Sequence, residues 1–306
     1  MLKSKLFLED IVETLNNKDK LHSKKLRSNV LFLTEKFPIE FDELLTLIHN
    51  YFTNIQMSTD QIVIDYLKMI NDMRIEGLYF IKNGKYRCDS QEEANKEVYS
   101  DHLVMSYYMN ALLVSQILWK HHFQIFMYFK KNLQSFSLNK AGMKILDIGP
   151  GHGFFSHIVK NEFPDYQKID IVDISETSLN MTKSIIGNDN GKINYFKKDI
   201  FDYNDNEKYD LIVLGEVIEH LDNPKQILKK LRSLLSENGL LWITAPTNAP
   251  ALDHVYLFRT KEEIFDLIKD SDLNINKYCS FFAEDVPEEL ALKFKITNLV
   301  GMFCNK

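Results

Sequence analysis

Cysteine is scarce. Cys88, Cys279 and Cys304 are the only three in 306 residues, and they stand far apart with no CxxC pair. That excludes a disulfide framework and a thiolate metal knuckle, and it is the usage expected of a cytoplasmic protein with reduced thiols. A long apolar run is also missing. The most hydrophobic stretch, HLVMSYYMNALLVSQILW over 102–119, is broken by Ser106, Asn110, Ser115 and Gln116. A membrane span needs roughly 20 mostly apolar residues, so this stretch is expected to be a buried helix and no membrane partner is expected. The opening MLKSKLFLED turns acidic by Glu9, too early for the apolar core of a signal peptide. Positive charge is not in excess. A net charge of −6 gives no general affinity for nucleic acid or an anionic surface, so nucleic acid is an unlikely partner. No repeat or low-complexity tract occurs. What remains is a soluble globular chain whose 45% hydrophobic residues suffice for a large core.

Character changes at FSLNKAGM, 136–143, a short polar linker. A mainly helical domain over 1–138 is expected before it, and a strand–helix alternation over 139–306 after it. KILDIG (144–149), KIDIVDI (168–174), INYFKKD (193–199), YDLIVLGE (209–216) and GLLWITAP (239–246) have strand character. Amphipathic helices are expected over 154–163, 175–186, 223–235 and 260–270, with Ser175 as an N-cap, Pro224 in a first turn and Gly239 past a helix end. NKYCSFF (276–282) and KITNLVGMFCNK (295–306) close the chain without a helix between them, which predicts antiparallel pairing. The fold class is α/β: a Rossmann-like, doubly wound, mostly parallel sheet with an antiparallel C-terminal strand. Ligands of such sheets sit at the carboxyl ends of the strands, near the switch point.

KILDIGPGHGFFSHIV raises the question of which ligand. Dinucleotide turns follow GxGxxG. Here Gly149, Gly151 and Gly153 form GxGxG, and Phe154 stands where the third dinucleotide glycine belongs. A phosphate loop would end in Gly-Lys-Ser/Thr, which is absent. The strand ends in Asp147, a carboxylate that pyrophosphate would repel.

ILDIGPGHG resembles motif I of class I S-adenosylmethionine-dependent methyltransferases, and the following motifs occur in order over about 165 residues. The resemblance implies S-adenosylmethionine as cofactor. It assigns the close approach to Gly149, Gly151 and Gly153, with Asp147 near the turn. Asp173 with Ile174 would meet the ribose hydroxyls, and Asp199 with Ile200 the adenine.

GEVIEHLDNP carries Glu216, Glu219 and His220 past the fourth strand, and His254 follows the fifth in TNAPALDHVYLF. In a helical turn, 216, 219 and 220 would share one face. Two carboxylates and two imidazoles can hold a divalent metal ion that activates an acceptor hydroxyl. The pattern resembles small-RNA 3′-terminal 2′-O-methyltransferases and ubiquinone-pathway O-methyltransferases. The alternative is that Glu216 lines the cofactor pocket and His220 is a metal-free general base, with Glu219 and His254 beside it.

DQIVIDYLKMINDMRIEGLYFIKNGKYRCD (60–89) predicts a helix and then a hairpin about Asn83-Gly84, the favoured pair for a tight turn. Helices followed by a hairpin form a winged helix, and the stretch resembles the winged-helix dimerisation domain of small-molecule O-methyltransferases. That implies a homodimer and makes Tyr99, Tyr107, Tyr108 and Trp119 candidates for the substrate pocket. Over residues 37–98, 11 acidic side chains outnumber 6 basic ones, which disfavours DNA. His121 and His122 are expected to be ordinary polar positions. The function expected is methyl transfer to an oxygen of a small metabolite. RNA 2′-O-methylation and a non-catalytic binding or regulatory protein are the alternatives.

Overall fold

A computed structural model of the chain describes residues 2–136, 141–187, 191–203 and 207–306. Most of the linker, 137–140, and with it the boundary expected at 138/139, lies outside the described residues.

Helices α1 (Leu2–Lys18), α2 (Lys20–Lys36), α3 (Pro38–Asn54) and α4 (Thr59–Asn83) come first. Their boundaries follow local chemistry. The Asp19 side chain accepts from the His22 N–H at the start of α2, Pro38 opens α3, and the Ser58 hydroxyl accepts from the Gln61 N–H to cap α4. The winged-helix hairpin is not there. Asn83 is the last residue of α4, and Gly84 ends it in the left-handed region at φ 68°. Asn-Gly serves tight turns and helix C-caps for the same reason, glycine's freedom at positive φ, and here the cap prevails. Then come the short α5 (Gln91–Ala94), a π-helical turn at Asn95–Tyr99, α6 (His102–Leu118) and α7 (Lys120–Leu133).

The apolar stretch 102–119 is α6, apolar on nearly every face and buried along most of its length, as a central helix must be. Its polar residues are satisfied inside: Asn110 Nδ2 donates to Asp65 Oδ2 at 2.9 Å, and Gln116 Nε2 donates to the Leu112 carbonyl at 2.8 Å. Among the described residues no helix is long and apolar enough to cross a membrane.

Strands β1 (Lys144–Ile148), β2 (Lys168–Asp173), β3 (Ile193–Lys197), β4 (Tyr209–Gly215), β5 (Leu235–Thr247), β6 (Asn274–Phe282) and β7 (Asn298–Asn305) form a seven-stranded sheet. Helices α8 (Phe154–Glu162), α9 (Glu176–Ile186), α10 (Pro224–Leu234), α11 (Lys261–Lys269) and α12 (Glu288–Lys293) lie between them. α12 falls between β6 and β7, where no helix is expected from the sequence, and the two strands still pair antiparallel. The order is β3-β2-β1-β4-β5-β7-β6, and β7 alone runs antiparallel to both neighbours. The fold class expected from the alternation is therefore present. Gly239 is not a helix terminator, because α10 ends at Leu234 and β5 begins at Leu235. Gly239 lies within β5, where a Cβ would come 2.9 Å from the Tyr209 carbonyl oxygen.

The order reverses between β1 and β4, and the site lies above that point. α7 covers the sheet with Phe129, which stacks on Phe303 at 5.8 Å between ring centroids and approaches Trp242 at 5.1 Å. The N-terminal helices and the sheet face under α7 share one continuous hydrophobic core. The helices that roof the site are thereby fixed to the strands that build its floor.

Candidate active site

The turn after β1 is tight by necessity. A Cβ on Gly149 would stand 2.6 Å from Val217 Cγ2, and one on Gly153 would stand 2.9 Å from the Thr182 Cα; their φ angles are 60° and 79°. Gly153 packs against α9 and is not in the cavity wall, whereas Gly149 and Gly151 line the cavity above the turn. Asp147, two residues before the turn, does not. It is buried, accepts a hydrogen bond from Ser156 Oγ of α8, and is pushed up to about 7 by burial. Its carboxyl anchors the helix to the turn from below.

That burial gives a pH dependence with a definite sign. Below about pH 4 the Asp147 carboxyl is protonated in folded and unfolded chains alike. Between about 4 and 7 the unfolded chain releases a proton that the folded chain keeps, so stability falls as pH rises and levels off above 7. Asp147→Asn should make the ligand-free melting temperature fall less steeply from pH 5 to pH 8. The gain at pH 8 should be about 1–2 kcal/mol, because the buried amide keeps part of the desolvation cost. An unchanged slope would refute the assignment.

Asp173 closes β2 and faces the cavity, its Oδ1 accepting from the Ser175 N–H at 2.7 Å; enclosure pushes it up to about 7. Ile174, Asp199 and Ile200 line the same cavity, and Asp199 Oδ1 accepts from the Phe201 N–H at 2.8 Å. The acids at the ends of β2 and β3 are thus brought to the glycine turn. Glycines that admit a close ligand, with two carboxylates placed to accept from hydroxyl and amino groups, fit the adenosyl group of S-adenosylmethionine.

Past β4 the backbone departs from the expected helical turn. Glu216 adopts φ 55°, and only Ile218–His220 make a turn, of 3₁₀ helix. Glu216 is held by Thr244, whose hydroxyl accepts from the Glu216 N–H at 2.9 Å and donates to its carboxylate at 2.8 Å. Glu216 lines the cavity, and burial pushes it up to about 7. It does not join the other three. Among the described residues, Glu219, His220 and His254 bring ligand atoms together, all within 4.8 Å. The four-residue metal set reduces to three because the left-handed residue turns Glu216 toward β5.

Glu219 is buried, and neither carboxylate oxygen has a hydrogen-bond partner; burial, reinforced by Glu216, drives its pKa well above the usual carboxylate range. His254 Nδ1 is likewise without a partner, and burial lowers that imidazole to about 4. The carboxylate of Glu219 and the imidazoles of His220 and His254 are a donor set that fits a divalent cation.

Tyr99, Tyr108 and Trp119 line the cavity, whereas Tyr107 points away and donates to Asp72 at 2.8 Å. His121 and His122 are not ordinary polar positions. Both are enclosed in the cavity wall, with Ser115 Oγ and Gln116 Nε2 each 3.1 Å from His122 Nδ1, and burial keeps both rings neutral. Asp253 and Thr244 are the residues that sequence reasoning missed. Asp253 directly precedes His254, and an acid beside a strand-end histidine was the available signal.

Residues 119–283, more than half of the chain, match the sequence model of a family described as the methyltransferase domain, and the chain belongs to that family. Its sheet order, glycine turn and strand-end acids are those of a class I S-adenosylmethionine-dependent methyltransferase. The chain is 32% identical over 158 residues to malonyl-[acyl-carrier protein] O-methyltransferase 2 of Ilyobacter polytropus, covering 50% of this chain and 54% of that one. It is 27% identical over 143 residues to the ubiquinone biosynthesis O-methyltransferase of Glaesserella parasuis, covering 45% and 59%. The chain therefore spans about half the length of the curated relatives it matches. A structure described as a putative O-methyltransferase from Nostoc punctiforme superposes with a TM-score of 0.52 at 14% identity, over 81% of this chain and 73% of that chain, and shares the fold.

Proposed function

We propose that the protein methylates an oxygen of a small, largely apolar molecule. The observation that carries this is one cavity of about 530 Å³ joining the glycine turn, Asp173 and Asp199 to His220 and His254. That volume is in the range of small-ligand sites, about 300–1,000 Å³. Met105, Met109, Leu112 and Trp119 of the N-terminal helices roof it with apolar surface, which suits an acceptor with an apolar body. The relatives' names, both those of O-methyltransferases, support an oxygen acceptor.

S-adenosylmethionine, when bound, supplies an electrophilic methyl group on a sulfonium. Gly149 and Gly151 would admit the cofactor, and Asp173 and Asp199 would accept hydrogen bonds from its nucleoside. His220 Nε2 takes the proton of the acceptor hydroxyl, and the roof excludes water and holds the acceptor in line. A second reading is favoured by the orphaned oxygens of Glu219 and by His254 Nδ1: these two residues and His220 would hold a divalent cation that lowers the acceptor's pKa.

The test is calorimetric titration with S-adenosylmethionine and S-adenosylhomocysteine, then transfer assays on a panel of apolar alcohols, phenols and acids. Asp173→Ala should weaken cofactor binding roughly 10–100-fold, the value of a lost hydrogen bond to a charged group. No adenosyl ligand bound by the wild type would sink the proposal. Elemental analysis decides the second reading, which fails if metal is well below one equivalent and chelator leaves activity intact.

A further inference from the structure

Asp253 is a buried acid that neither the glycine turn nor the imidazole pair accounts for. It touches His220 in two ways. Its backbone carbonyl lies 2.9 Å from His220 Nδ1, and its carboxylate Oδ2 lies 3.5 Å from the same nitrogen. A carbonyl oxygen can only accept, so Nδ1 must carry the hydrogen and Nε2 must carry the lone pair. The nitrogen left free is the one 3.9 Å from Glu219 Oε1, within the cluster formed with His254.

The Asp253 carboxylate is itself held from the other side of the cavity. Tyr99 Oη donates to Oδ2 at 3.0 Å and Tyr108 Oη to Oδ1 at 3.3 Å, one phenol on each oxygen. Burial raises both phenols, so they remain protonated donors. Tyr99 ends the π-helical turn and Tyr108 stands in α6, both in the N-terminal part of the chain, whereas Asp253 follows β5. The Tyr99 ring also meets His220 edge-on, at 6.0 Å between centroids. Two donors from the roof thus fix the loop that presents a carbonyl to the imidazole. A network of this kind specifies one arrangement because every alternative leaves a buried polar group unpaired.

We propose that Asp253 is the positioning residue of His220, and that Tyr99 and Tyr108 act through it to keep the Nε2 lone pair directed at the acceptor. The N-terminal helices then contribute to the reaction by setting a tautomer as well as by covering the cavity. The kinetic part rests on the proposed methyl transfer; the tautomer does not.

The experiment is nitrogen-15 NMR of the full chain labelled at histidine, with the His220 signals assigned by difference from a His220→Gln variant. Wild type should show His220 as the Nδ1–H tautomer. In Tyr99→Phe/Tyr108→Phe, which keeps both rings and removes both donors, the Nε2–H form should appear. The kcat should fall about 10–100-fold, as for lost partners of functional histidines, while cofactor Kd and acceptor KM change less than about 3-fold. A His220 tautomer unchanged in the double variant overturns the proposal whatever the rate does. Parallel loss of Kd, KM and kcat would also overturn it, since that is the signature of a merely structural contact. If the double variant fails to fold, Tyr108→Phe alone is read by the same criteria. A wild type with the expected tautomer but no transfer to any acceptor would remove the methyl-transfer reading and leave the tautomer assignment standing.

Discussion

His220→Ala lowers kcat by about 10²–10⁴, the contribution of a positioned general base, while the protein still binds S-adenosylmethionine with near wild-type affinity. The separation is expected because the cofactor's determinants and the imidazole come from different strands. The glycine turn follows β1, and Asp173 and Asp199 follow β2 and β3, whereas His220 follows β4. His220 is half-buried at the cavity wall, so truncation removes a reacting group without hollowing a core. Steady-state rates with a cofactor-binding titration and a melting curve check the result. A kcat within 10-fold of wild type would remove His220 from the reaction, and a parallel loss of cofactor affinity would assign it a binding role instead.

Gly153→Ala destabilises the protein by about 2–5 kcal/mol and weakens cofactor binding by more than about 10-fold. Two costs combine: a left-handed backbone, about 1–2 kcal/mol for a residue with a Cβ, and overpacking, typically about 1–3 kcal/mol. The obstacle at Gly153 is the Thr182 Cα at 2.9 Å, backbone of α9 that cannot swing aside. Relief would have to move the turn itself, and the cofactor pocket with it. Gly84→Ala is the internal control. Its φ of 68° carries the same strain, but a Cβ there meets nothing within 4 Å. That variant should lose only about 1 kcal/mol and leave cofactor binding unchanged. Urea unfolding and calorimetry on both variants separate strain from collision, and equal effects would refute the steric argument.

How much was legible depended on how local each signal was. The strand–helix alternation from 144 onward carries its own period, and the glycine turn carries its own spacing. The parallel sheet, the antiparallel last strand, and Asp173 and Asp199 at the cavity were therefore readable residue by residue. Asn83-Gly84 was misread because two structures use the same positive-φ preference, and only the packing of α4 against α6 distinguishes a helix end from a hairpin. Glu216 was misplaced in the metal group because helical spacing was assumed across a residue whose backbone is left-handed. His121 and His122 read as polar positions because neighbouring histidines look hydrophilic in sequence, while the fold encloses them in the cavity wall.

The sequence by itself determined the class of sheet, the side of it that binds and the cofactor for which the turn is shaped, because each rests on residues within a few positions of one another. The tertiary structure decided what surrounds His220. Asp253, Tyr99 and Tyr108 lie far apart along the chain, and neither periodicity nor spacing relates them. They meet because the N-terminal helices share a core with the sheet, and because a buried carboxylate must find its donors wherever the fold brings them.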